Sequence, residues 1–72
     1  MYRLKITLQK HKISTIINGL NEVDPIMMEK ADFGVEPLNS PDWCNLIVIF
    51  NEDVTFEQVN HFMDELNTFK HQ

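Results

Sequence analysis

The chain predicts an α+β domain in the order βαββα, a two-layer sandwich of three strands with two helices on one face. Three patterns carry that expectation. "YRLKITLQ", residues 2–9, alternates apolar and polar side chains with the period of two of a half-buried strand. Two later segments repeat apolar residues at the three- and four-residue spacing of amphipathic helices. In "CNLIVIF", residues 44–50, Leu46 to Phe50 are apolar without a break, as in a strand at the centre of a sheet covered on both faces.

In the first strand Tyr2, Leu4, Ile6 and Leu8 point one way and Arg3, Lys5, Thr7 and Gln9 the other. Ile13, Ile16, Ile17, Leu20 and Val23 then form one helical stripe over about residues 12–23, ended by Asp24-Pro25. Burial must hold this helix, because its β-branched residues are poor helix formers. "MEKADFGVE" predicts a second half-exposed strand, with Ala31, Phe33 and Val35 inward. The turn "PLNSPD" leads into the third strand at about 44–50. The last helix starts at Thr55: Gln58 completes a capping box and Val54 can staple to Val59. Its stripe is Phe56, Val59, Phe62, Met63, Leu66 and Phe69.

This order resembles the ferredoxin-like split βαβ arrangement, truncated, since the three residues after Phe69 leave no room for a fourth strand. The resemblance implies a sheet order 2-3-1, with the third strand central and the first an open edge. Such an edge displays unpaired N–H and C=O groups that template another strand.

Length and composition set the bounds. Seventy-two residues make one domain, which buries roughly 60–65% of its unfolded surface. The single Cys44 rules out an internal disulfide framework and points to a reducing, cytoplasmic setting. No stretch has the apolar length of a membrane span. The net charge of −5 is uneven: Arg3, Lys5, Lys10 and Lys12 precede every acid, and the eleven carboxylates run from Glu22 to Glu65. An acidic body disfavours phosphate backbones, so nucleic acid is not an expected partner. A base-reading sheet would also need aromatics on adjacent central strands, and Phe33 is assigned inward, leaving Phe50.

The sequence presents no catalytic, cofactor or metal motif. His11, His61 and His71 share no ligand spacing, and Glu57, His61, Asp64 and Glu65 lie on the solvent side of the last helix, with Glu57–His61 an i, i+4 pair. Trp43 either lids the end of the core or presents a rigid contact ring. The expected function is therefore a small, acidic, non-enzymatic protein-binding module, an adaptor or inhibitor. It would associate through its sheet edge or open sheet face, as a homodimer or with a larger protein. The expected contact residues are Arg3, Lys5, Trp43 and Phe50, and proline at Ile6 is expected to block an edge contact. Two alternatives are an acidic mimic of nucleic acid that inhibits a DNA- or RNA-handling enzyme, and a regulatory domain for a small ligand.

Overall fold

A computed structural model describes residues Met1–Gln72. Strand β1 (Arg3–Gln9) is followed by a single 3-10 turn at Lys10–Lys12, helices α1 (Ile13–Val23) and α2 (Pro25–Glu29), strands β2 (Ala31–Pro37) and β3 (Trp43–Phe50), and helix α3 (Phe56–Lys70). The sheet is antiparallel, in the order β1-β3-β2. No helix is long and apolar enough to cross a membrane.

The register gives each face of the sheet its character. Leu4 pairs with Val48, Ile6 with Leu46 and Leu8 with Cys44, while Phe33 pairs with Val48 from the other side. Leu8, Cys44, Leu46, Val48 and Phe50 are buried, as are Ile16 and Leu20 of α1, Met27 of α2, and Val59, Phe62 and Leu66 of α3. These residues, with Val54, form the core between the two layers. Phe62 sits at its centre, edge-on to Phe50 with ring centroids 5.4 Å apart and tilted against Phe33 at 6.5 Å. The α1–α3 contact is tight at Gly19, where a Cβ would stand 2.5 Å from the Phe69 ring.

Helix α2 is an element beyond the two expected. Asp24-Pro25 ends α1 and also begins a new helix: Asp24 Oδ1 accepts from the Met27 N–H at 3.4 Å, and Pro25 takes the first turn, where its missing N–H costs nothing. Met28 and Glu29 are thus helical, and β2 begins at Ala31.

The expected capping box on α3 is present. Thr55 Oγ1 accepts from Gln58 N–H at 3.2 Å, and Gln58 Oε1 accepts from Thr55 N–H at 2.8 Å. Thr55→Ala should lower stability by about 1 kcal/mol, measured by urea denaturation, and Thr55→Ser should restore most of it. Phe56 and Met63 depart from the expected stripe: both are exposed, and Phe56 instead lies tilted against Tyr2 with ring centroids 5.8 Å apart.

Candidate interaction surface

All three helices lie against one face of the sheet, so the other face and the outer edges of β1 and β2 remain for contact. Trp43, Asn45, Ile47 and Ile49 of β3 occupy this open face, with Arg3, Lys5, Thr7 and Gln9 on one side and Asp32, Gly34 and Glu36 on the other. Three of the four expected contact residues lie here or at its rim: Arg3, Lys5 and Trp43. Trp43, 42% exposed and opposite Gln9, lines a small cavity at the end of the core with Leu8 and Lys70. The fourth, Phe50, is 1% exposed among the helices, because strand alternation sends it to the same side as Cys44, Leu46 and Val48. Phe50 is therefore a core residue and leaves the contact set. The unbroken apolarity of β3 likewise does not reflect cover on both faces: Ile49 is 37% exposed, flanked by Arg3 and Asp32.

A polar chain crosses all three strands of the open face. Thr7 Oγ1 donates to Asn45 Oδ1 at 2.7 Å, Asn45 Nδ2 donates to Glu36 Oε1 at 3.0 Å, and Lys5 Nζ lies 3.2 Å from the same oxygen. Asn45 is the one buried polar residue of the domain. Its hydrogen bond, followed by the Lys5 ammonium, holds the Glu36 carboxyl below the ordinary glutamate range. The geometric consequence concerns Lys5. Glu36 is on β2, so Lys5 reaches over β3 and its charge is drawn away from the free edge of its own strand.

That edge has a defined phase. The Phe50 N–H donates to Tyr2 O at 3.0 Å and the Lys10 N–H donates to Asp42 O at 2.8 Å, so the even-numbered residues of β1 turn their backbone groups toward β3. Arg3, Lys5, Thr7 and Gln9 turn theirs outward, where β1 has no neighbouring strand. Proline at Ile6 would therefore remove a bond inside the sheet. At Lys5 or Thr7 the backbone donor that proline removes belongs to the edge and not to the pairing with β3.

A second cluster lies on the helical side; the sequence placed His61 and Glu65 on one face of the last helix but did not point to Asp24. Asp24, His61 and Glu65 offer side-chain atoms that all lie within 4.8 Å of one another. They stand beside a cavity of about 410 Å³ between the α1–α2 junction and the start of α3, which Asp24 and His61 help to line. His61 pairs with Glu65, Nε2 to Oε1 at 3.6 Å, and not with the expected Glu57. Glu65 Oε1 is out of solvent without a hydrogen-bond donor. The three donors are of the kinds that ligate divalent cations. However, Asp24 Oδ1 already caps α2, and His61 is 73% exposed.

Burial, and then the neighbouring Asp24 carboxylate, raises the Glu65 pKa, against a smaller opposing effect of His61. A carboxyl with a raised folded-state pKa contributes stability that is present below the ordinary glutamate range and is lost as pH rises through the folded value. Glu65→Gln should therefore melt higher than the native chain at neutral pH, with the difference vanishing in acid. Equal melting temperatures at neutral pH would contradict this.

Comparison of the chain with protein-family models, curated proteins and solved structures finds no match.

Proposed function

We propose that this domain works by binding a protein chain, without catalysis, as an adaptor or inhibitor whose partner adds a strand to the free edge of β1. We read its architecture as the ferredoxin-like split βαβ arrangement without the strand that would flank β1. The observation that carries the proposal is the Lys5–Glu36 ion pair. Sheet proteins commonly protect an edge with lysine. Here the central lysine of the edge strand is held over the sheet, and the outward N–H and C=O groups beside it stay accessible. Leu4 and Ile6, half-buried on the helix side of the same strand, offer apolar surface that an added strand would cover.

Two substitutions separate the edge from the open face. Lys5→Pro should abolish association, whereas Ile49→Asp, which changes the open face and no edge group, should leave it intact; sedimentation velocity reads both. The reverse pattern would move the interface to the open face. Because strand addition rests on backbone hydrogen bonds, the association should change little with added salt, unlike that of a nucleic-acid mimic, which would weaken steeply.

A further inference from the structure

The phase and charges of β1 restrict the registers in which a second strand can pair with its free edge. We infer that the occupant is β1 of a second copy, paired antiparallel about a two-fold axis at Ile6, so that two three-stranded sheets join into one. This rests on the edge-binding reading above and names its partner and register.

Two conditions restrict the pairing. The outward backbone groups belong to Arg3, Lys5, Thr7 and Gln9, so these residues must meet their counterparts for both strands to donate and accept. The helix-side residues Leu4, Ile6 and Leu8 must also meet one another, or the apolar face of one copy would continue into the polar face of the other. Both conditions hold in registers where odd-numbered residues face odd and even face even. Among these, a two-fold at Lys5 sets Lys5 directly against its own copy, a destabilising like-charge pair, and leaves part of the strand unpaired. A two-fold at Thr7 leaves Arg3 without a partner residue in the strand.

A two-fold at Ile6 pairs all seven residues of β1. Arg3 then faces Gln9 and Lys5 faces Thr7 on the open side, so no two charges are directly opposite. Leu4 faces Leu8, and Ile6 faces Ile6, on the helix side. Each outward residue exchanges two hydrogen bonds with its counterpart, about eight across a seam roughly 24 Å long. The two Lys5 side chains are diagonal neighbours in this register, and each is already paired with Glu36 of its own chain.

The register is read by oxidative crosslinking of single-cysteine additions. Cys44 can remain, since it is wholly buried. At the Ile6 two-fold the paired Cα atoms are about 4.5 Å apart, within disulfide range, while two residues at position 5 are diagonal and about 7–8 Å apart, beyond it. The inference expects Ile6→Cys to form a disulfide-linked dimer. A mixture of Lys5→Cys and Thr7→Cys proteins should form the mixed dimer, with neither crosslinking efficiently alone; this second reading stands even if Ile6→Cys perturbs the fold. Efficient self-crosslinking of Lys5→Cys or of Thr7→Cys would overturn the register and leave the edge reading in place. Absence of crosslinks in a protein that sediments as a dimer would overturn both. Absence of crosslinks in a monomeric protein would overturn the second copy as occupant and leave the edge to a different chain.

Discussion

Phe62→Ala should leave this domain largely unfolded at 37 °C. Phe62 is fully buried, and its ring is the element of α3 that meets both Phe50 of β3 and Phe33 of β2. Truncating a buried phenylalanine to alanine typically costs about 3–5 kcal/mol, the sum of lost transfer energy and the cavity left behind. A chain of 72 residues has, at about 0.05–0.15 kcal/mol per residue, roughly 4–11 kcal/mol in total. The substitution thus removes a large part of the stability, and near the lower bound all of it. Phe56→Ala is the control on the same helix: with 58% of Phe56 exposed, its loss should cost less than about 1 kcal/mol. Urea denaturation followed by circular dichroism measures both, and similar midpoints for the two variants would contradict the packing described.

The second large effect is on association. Lys5→Pro removes an N–H that points away from the sheet, and an edge strand tolerates proline at such a position. It should leave the fold intact, at the cost of the exposed, solvent-screened Lys5–Glu36 pair, which adds little to stability. At the proposed seam the same change would delete one donor from each copy and place a ring against the partner's carbonyl. The expected result is a folded monomer at concentrations where the native chain associates. Lys5→Ala separates charge from backbone, because it removes the ammonium and keeps the N–H. It should associate at least as well as the native chain, and if it were as monomeric as Lys5→Pro, the lysine head and not the edge would carry the contact.

How far the sequence reveals this arrangement depends on whether each segment carries a phase. "YRLKITLQ" alternates, so the orientation of β1 is legible, and the Thr55 cap is legible because both its members lie within one turn. Leu46 to Phe50 carry no period, and an unbroken apolar run does not reveal which of its residues face the helices. Asn45 is the signal that would have resolved it: as the single polar residue inside the strand, it belongs to the open side and sends Cys44, Leu46, Val48 and Phe50 to the core. Asp24-Pro25 has two meanings, since the residues that stop one helix are also those that start another. The Lys5–Glu36 and Asp24–Glu65 approaches are products of tertiary folding, joining residues on separate elements. Local spacing contains neither.

Amide hydrogen exchange, observed residue by residue, reports whether the outward backbone groups of β1 bind another strand as proposed. The amides of Arg3, Lys5, Thr7 and Gln9 should exchange rapidly at high dilution and become protected as protein concentration rises. Those of Leu4, Ile6 and Leu8, directed toward β3, should be protected throughout. Rapid exchange of the four outward amides at every concentration, in a protein that nevertheless associates, would contradict the account.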